Sequence, residues 1–527
     1  MRIAIIGAGF AGLATAKVLT QAGHEVRVFD RSPDVGGVWS RTRRYPGVTT
    51  QSPKAQYSLS DFPMPKSYPQ WPSGAQVQAY LAAYVAEFGL ESALRLRTEV
   101  TAARPVGDGR WMLETRDAGG AESVEGAESV EEFDRLVVAN GVFCEPLVPA
   151  FAGLEEFTAA GGRLRAATEF HDAEEARGKH VLVVGYGKSA CDVAVAVSGV
   201  AAGTDVIARQ LLWKVPRKIG GIVNFKLLLL TRLGEGLFRY LRLRGFEKFL
   251  HGPGDGLRRR MINFVGSVSV RQFGLAKLGL VPAGRMEDIV RGAIGLASEG
   301  FFEGVADGSI TVHRDRTITR LLAGHDGPVA ELNDGSRHRA DLVLCATGFT
   351  QGVPFLPQET RRRLFDERGN FMLYRQILPL GVPGLYFNGY NSSFFSPLNA
   401  EMAALWIAAD LAEAVALPGP EAMRRAVVEQ LAFMDEATDT HHCRGTKIIP
   451  FSMHNVDEVL GDLDLNIGAT VRASHWLGAV DPAAYRRVTP SLLRRLTPGG
   501  PRPEPGSNGP TPVDSFSGKE EVPLDPR

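Results

Sequence analysis

Apolar residues along the chain fall into two patterns: short unbroken runs, and longer stretches in which they recur every three or four positions. Ile3-Ala4-Ile5-Ile6 is a run of the first kind, fit for a strand buried on both faces. Leu13, Ala16, Val18 and Leu19 then continue at helical spacing, and Val26-Arg27-Val28-Phe29 forms the next strand. The succession returns at Val181-Leu182-Val183-Val184, a helix through Val193 and Val197, and a strand at Asp205-Val206-Ile207-Ala208. Val77, Tyr80, Leu81, Tyr84, Val85 and Phe88 predict an amphipathic helix whose aromatic stripe belongs to the core. Leu342-Val343-Leu344 predicts another buried strand, with Cys345 at its end as a small, inert hydrophobe. Strands alternating with helices predict an α/β fold.

What joins strand to helix gives this alternation its chemistry. After the first strand stands Gly7-Ala8-Gly9-Phe10-Ala11-Gly12, and the second strand ends in Asp30. Gly7 permits the tight turn, Gly9 lets backbone approach a pyrophosphate, Gly12 lets helix and strand pack closely, and the helix N-terminus faces the anion. Asp30 can accept hydrogen bonds from ribose hydroxyls. The second copy reads Gly185-Tyr186-Gly187-Lys188-Ser189-Ala190, with alanine for the third glycine and Arg209 where the first copy has Asp30. A guanidinium binds a 2′-phosphate bidentately, so the second cradle favours NADP over NAD. Two cradles predict two Rossmann-like, dinucleotide-binding domains.

The chain has 527 residues, enough for two or three domains. Lysine plus arginine equals aspartate plus glutamate at 59 each, so no overall basic field draws nucleic acid. The four cysteines, Cys144, Cys191, Cys345 and Cys443, form no CxxC pair, which argues against a disulfide framework or dithiol centre and for a cytoplasmic location. His441-His442-Cys443 does not suit one tetrahedral metal site, and no metal is assigned. No apolar run reaches the 18 to 20 or so residues of a spanning helix, and the N-terminus reads as a strand rather than a signal.

Further stretches sharpen the picture: Gly36-Gly37-Val38-Trp39, Thr49-Thr50-Gln51-Ser52-Pro53-Lys54 leading to Asp61-Phe62-Pro63-Met64-Pro65, Trp213-Lys214-Val215-Pro216-Arg217, Cys345-Ala346-Thr347-Gly348-Phe349, and Pro397-Leu398-Asn399-Ala400-Glu401-Met402 with Trp406. In combination they resemble the flavin-containing monooxygenases, class B flavoprotein monooxygenases, from residue 1 to about residue 415. The resemblance implies that NADPH reduces FAD, that molecular oxygen adds to the flavin, and that the C4a-hydroperoxyflavin passes one oxygen to an amine or sulfide of a small molecule. Baeyer–Villiger oxygenation of a ketone and a flavin reductase or oxidase without oxygen transfer are the alternatives. The same resemblance implies FAD contacts at Gly7, Gly9, Phe10, Ala11, Gly12, Asp30, Arg31, Gly37, Val38 and Trp39, NADP contacts at Gly185, Gly187, Lys188, Ser189, Ala190, Asp192 and Arg209, and cofactor contacts at Thr347 and Gly348. Thr50 and Gln51 would sit between the cofactors, with Gln51 the catalytic candidate, where many members carry asparagine. The identifying FxGxxxH stretch stands here as Ala160-Gly161-Gly162-Arg163-Leu164-Arg165-Ala166, keeping only the central glycine.

These readings divide the chain into an FAD domain in two parts, 1–148 and 331–470, around an NADP domain at 149–330, followed by a C-terminal extension at 471–496. The NADP domain carries a basic helical insertion at 214–280, whose residues 214–260 hold twelve lysines and arginines against three acids. That insertion predicts a lid over the active site in preference to a peripheral membrane surface. Residues 120–131 repeat Gly-Ala-Glu-Ser-Val-Glu, which predicts a lengthened surface hairpin, and 497–527 read as a disordered tail that tolerates truncation.

Overall fold

The first run of isoleucines lies at the centre of a five-stranded parallel sheet. The computed structural model describes residues 1–118, 129–287, 295–391, 393–438 and 451–497. Its first sheet places Leu385–Phe387, Arg135–Val138, Arg2–Ile6, Glu25–Phe29 and Leu94–Arg95 side by side in that order. Ile3, Ala4 and Ile5 are fully buried because both faces are covered, Ile3 and Ile5 packing with helical Leu13 and Leu398, and Ala4 with Trp111, Leu113 and Phe133 of an antiparallel sheet. The Phe10–Gln21 helix returns over it, and against that helix lies Ser396–Leu411, buried from Pro397 to Ala409. A helix apolar on all sides is a core helix, and a buried Asn388 ties it to its neighbour, its amide donating to Thr15 Oγ1 at 2.8 Å and to the Ala400 carbonyl at 2.9 Å.

A second five-stranded parallel sheet follows the order Thr311–Arg314, Gly203–Ala208, His180–Val184, Leu342–Cys345, Arg163–Ala166. The domain boundary expected at 330 therefore moves: Leu342–Cys345 pairs in parallel with His180–Val184 and belongs to the second sheet. Each parallel sheet has a three-stranded antiparallel companion, Thr98–Gly107 with Arg110–Asp117 and Ser129–Phe133 in one case, Ile318–Gly324 with Gly327–Leu332 and Arg337–Arg339 in the other. The expected aromatic-striped helix is Gly74–Glu87, opened by a Ser73–Gln76 capping box.

The basic insertion folds into short helices, Lys226–Leu229, Arg232–Gly236 and Phe246–Leu250, and one long helix, Asp255–Gln272. Several of its charges are committed inward. Arg232 makes a bidentate pair with Asp457 at 2.7 and 2.8 Å, and Arg258 reaches Glu287 at 2.6 Å. Glu235 accepts the backbone N–H groups of Met453 and His454 at the start of the Ser452–Asp462 helix, where a carboxylate complements the helix dipole. His454 sits between two acids, Nδ1 toward Glu235 and Nε2 toward Glu247 at 2.9 Å, under the Tyr240 ring. Burial alone lowers an imidazole, but these two carboxylates outweigh it and raise His454 to about 10. The insertion is thus pinned to the C-terminal helices. Among the described residues no helix is long and apolar enough to cross a membrane. Residues 120–128 of the repeat at 120–131, His441-His442-Cys443 and the tail from 498 lie outside the described residues.

Candidate functional site

The two glycine turns repeat each other in backbone as well as in sequence. Gly7 has φ +113° and Gly185 φ +123°, conformations that a side chain rarely adopts. A Cβ on Gly7 would stand 2.4 Å from the Ala139 carbonyl oxygen, and one on Gly185 would stand 2.6 Å from that of Ala346. Ala139 and Ala346 each follow the neighbouring parallel strand, so the first glycine of each turn is the one that crosses a strand end. At the third position the copies diverge. A Cβ on Gly12 would fall 1.8 Å from the Gly7 carbonyl oxygen, whereas Ala190 carries its Cβ in ordinary packing, 3.7 Å from where one on Gly185 would be. The second helix stands farther from its turn.

The middle glycines are not required by the protein itself. Gly9 (φ −85°) and Gly187 (φ −70°) have backbones that any residue adopts. A Cβ on Gly9 would meet only Gly37, at 3.6 Å, and one on Gly187 nothing within 4 Å. Both are helix N-caps without a side-chain cap, so the first backbone N–H groups of Phe10–Gln21 and Lys188–Ser198 point into open space. Gly36 and Gly37, at φ +141° and +59°, bring a second backbone turn onto Gly9.

A cavity of about 500 Å³ opens over the first turn, within the range of roughly 300–1,000 Å³ that ligand pockets occupy. It brings together Gly7, Gly9, Phe10, Ala11, Asp30, Arg31, Gly37, Val38 and Trp39 of the expected set. Gly12 lies behind them as the packing contact just described. Asp30 Oδ2 accepts the Ala8 N–H at 2.7 Å and Oδ1 the Ser32 N–H at 2.8 Å, which fixes the carboxylate at the mouth with lone pairs to spare. Arg31 pairs with Glu145 at 2.6 Å, and Trp39 packs edge-on against Tyr57 at 5.8 Å. Thr347 and Gly348 are not in this lining: Thr347 donates to the Leu147 carbonyl, and the Gly348 carbonyl takes the Leu147 N–H at 2.9 Å. Thr350, Gln351 and Gly352 line it instead, with Asn140, Gly141, Gly389 and Asn391. Asn140 and Gly389 follow the apolar runs Arg135–Val138 and Leu385–Phe387, and that strand-then-polar-turn pattern was the signal available for them.

The second turn meets the first unit through Thr49–Gln51. Arg217 Nη2 donates to Thr49 Oγ1 at 3.0 Å, Lys188 Nζ approaches the same oxygen at 3.4 Å, and Gln51 Oε1 accepts the Leu296 N–H at 3.3 Å. Leu296 pairs with Val215, two residues before Arg217. Lys188 and Asp192 are committed to each other at 2.5 Å, and Ser298 Oγ donates to Asp192 at 2.5 Å, so their charged ends build the floor of this junction. Burial lowers the Lys188 ammonium and the Arg217 guanidinium below their ordinary values. Arg217 also lies over Trp71 at 5.0 Å. Thr50 Oγ1, Trp71 Nε1 and Arg217 Nε are buried without a hydrogen-bond partner among the described residues, donors left for a polar ligand. Ser189 sits half-buried in the first turn of its helix, and Arg209, exposed at its strand end, forms no ion pair among the described residues.

Open space above both middle glycines, bare helix N-termini and unpaired buried donors between them fit two dinucleotides. Residues 1–249 match the family model described as flavin-binding monooxygenase-like. A probable flavin-containing monooxygenase 1 of Arabidopsis thaliana is 27% identical over 504 residues, covering 88% of this chain and 92% of its own. Flavin-containing monooxygenase 1 of Canis lupus familiaris is 27% identical over 396 residues, covering 72% of this chain and 68% of its own. Among solved structures, S-allyl-L-cysteine S-oxygenase from Allium sativum superposes with a TM-score of 0.57 at 19% identity, over 93% of this chain and 94% of that one. Cyclohexanone monooxygenase from Rhodococcus sp. Phi1 bound to NADP+ superposes at 0.63 and 19%, over 87% and 96%. Over residues 1–249 the chain is similar to the flavin-binding monooxygenase-like family, and it is a flavoprotein monooxygenase that uses FAD, NADPH and molecular oxygen.

Proposed function

We propose that this monooxygenase transfers one oxygen atom to a nucleophilic nitrogen or sulfur of a small molecule. The observation that carries the reading is the Thr49–Gln51 junction, where a neutral carboxamide rather than a carboxylate or imidazole stands between the two cradles. A soft heteroatom attacks an electrophilic oxygen without losing a proton first, so its site needs hydrogen-bond donors and dryness rather than a general base. FAD, once reduced by NADPH, supplies the activated oxygen. Gly7, Gly9, Gly12, Asp30, Gly37 and Trp39 hold the flavin dinucleotide, with backbone N–H groups facing its pyrophosphate. Gly185, Gly187, Ser189 and Arg209 hold NADPH, Arg209 on the 2′-phosphate. Thr50 and Gln51 donate hydrogen bonds between them, and Lys188 with Asp192 fixes the junction from below.

A second reading has its own support. Arg217 is a desolvated cation on the same junction, and a cation there favours an anionic oxidant that attacks a ketone. The deciding experiment supplies NADPH and 18O2 with a panel of amines, sulfides and ketones and follows product mass. Labelled N-oxides or sulfoxides support the proposal. Labelled esters or lactones from ketones alone establish the second reading, and stoichiometric hydrogen peroxide with every substrate overturns both.

A further inference from the structure

The second sheet gathers three metal-ligating side chains. Asp205 comes from Gly203–Ala208, His313 from the edge strand Thr311–Arg314, and His338 from Arg337–Arg339 of the antiparallel companion. Register puts the first two on one face: Asp205 pairs with Thr311 and Ile207 with His313, and alternate residues of paired strands point the same way. His313 Nε2 lies 2.6 Å from Asp205 Oδ1, and the two imidazoles meet edge to face with centroids 4.4 Å apart. One ligand atom from each residue lies within 4.8 Å of the other two. Asp205 and His313 are only 21% and 20% exposed, so neither is a freely rotating surface group.

We propose that Asp205, His313 and His338 form a binding site for a divalent transition-metal ion of zinc's borderline softness. Two imidazoles and a carboxylate are a zinc-type donor set, and a water completes the tetrahedron. The surroundings orient the third ligand. Ser336 Oγ donates its proton to Asp334 at 2.6 Å and therefore accepts from His338 Nε2 at 3.0 Å, which leaves Nδ1 with the lone pair. The metal would take the position between His313 Nε2 and Asp205 Oδ1 that a hydrogen-bond proton now occupies, with the neutral imidazole carrying its one proton on Nδ1. The ion would clip the edge strand of the second sheet to its antiparallel companion.

The test uses the full-length, FAD-loaded protein stripped with chelator and dialysed against zinc chloride at neutral pH, with bound zinc counted by mass spectrometry. The wild type takes up one equivalent. His313→Ala and His338→Ala each weaken uptake by at least about tenfold, the scale on which metal sites respond to lost support. FAD content and the zinc-free melting temperature establish that these variants are folded, and His338→Gln serves where the alanine is not. His441, His442 and Cys443 are a rival donor set in the same chain, so a His441→Ala/His442→Ala/Cys443→Ser variant runs in parallel. Retention of the equivalent in that variant supports the site. Its loss there with retention in His313→Ala and His338→Ala overturns the proposal, as does wild-type uptake below about 0.1 equivalent at about 100 μM free zinc.

Discussion

Replacing Gly9 or Gly12 by alanine separates what the fold needs from what the cofactor needs. A Cβ at residue 12 falls 1.8 Å from the Gly7 carbonyl oxygen, and ordinary contact begins near 3.4 Å, so the helix must move by the greater part of the difference. Overpacking of this kind costs about 1–3 kcal/mol or more, against about 1 kcal/mol gained from alanine's helix propensity. Gly12→Ala should therefore lower the denaturation midpoint and lose FAD together. A Cβ at residue 9 meets only Gly37 at 3.6 Å on an unstrained backbone, so Gly9→Ala should fold with wild-type stability in the apo form. It nevertheless occupies the space through which the pyrophosphate reaches the helix N-terminus. Losing one or two charge-assisted hydrogen bonds at about 1.5–3 kcal/mol each weakens FAD by roughly 10- to 1,000-fold or more. Apo-protein is titrated with FAD by flavin fluorescence, and stability is read by urea denaturation without FAD. Wild-type FAD affinity in a folded Gly9→Ala protein would refute the assignment of the first turn, because nothing in the protein alone explains a glycine there. Gly187→Ala should likewise keep its FAD and stability while the KM for NADPH rises.

Arg209→Ala, at an exposed position without an ion pair among the described residues, should leave stability unchanged and raise the KM for NADPH by about 10- to 100-fold while leaving NADH nearly unaffected, since a bidentate charged contact is worth about 1.5–3 kcal/mol. Equal effects on both nucleotides would remove Arg209 from the 2′-phosphate. His454, raised to about 10 by Glu235 and Glu247, contributes stability that is fully present below about pH 6.5 and is lost as pH rises toward 10. Denaturation between pH 7 and 10 should show that decline, on the order of 4 kcal/mol, and His454→Gln should flatten it. Glu401 is buried and accepts the Ser60 N–H at 2.9 Å, Ser60 Oγ at 2.6 Å and Thr489 Oγ1 at 3.3 Å. Glu401→Ala should cost about 3 kcal/mol by orphaning those donors, and Glu401→Gln less than half as much in the same urea titration. Burial pushes the Cys345 thiol up to about 12, so iodoacetamide at pH 8 should leave Cys345 unlabelled in the folded protein, and rapid native labelling would show that its strand opens.

The strands, both glycine turns and the core role of the Gly74–Glu87 helix were legible because each is local: an apolar run, a spacing, a cap. What pairs with what was not local. Leu342–Cys345 looked like the return of the first domain, yet a parallel strand joins a sheet through a crossover of any length, and its place beside His180–Val184 is set by packing. The cavity lining shows the same limit: Thr350, Gln351 and Gly352 line it while Thr347 and Gly348 turn to Leu147, because the residues after a strand end face one ligand or another according to which sheet that strand has joined.

Thr50 and Gln51 were readable as lying between the cofactors, but the pairings that build their junction were not, for a related reason, and these link the two halves of the site. Lys188 and Asp192 read as cofactor contacts because they follow a glycine turn, but four residues apart on a helix they face each other, and burial makes that pairing stronger than either exposed charge. Their pairing neutralises the floor, while Arg217, which pairs with Glu299 at 2.9 Å, also donates to Thr49 of the other unit. Thr49 carries two donors from the second unit on a segment that continues directly into Thr50 and Gln51. Any shift of the second cradle must therefore pull on Gln51, whose own contact with Leu296 lies beside the strand leading to Arg217. Nucleotide binding and the position of the amide proposed to serve oxygen transfer are mechanically one variable, which requires Thr49→Val to loosen NADPH binding and lower kcat together rather than alter KM alone.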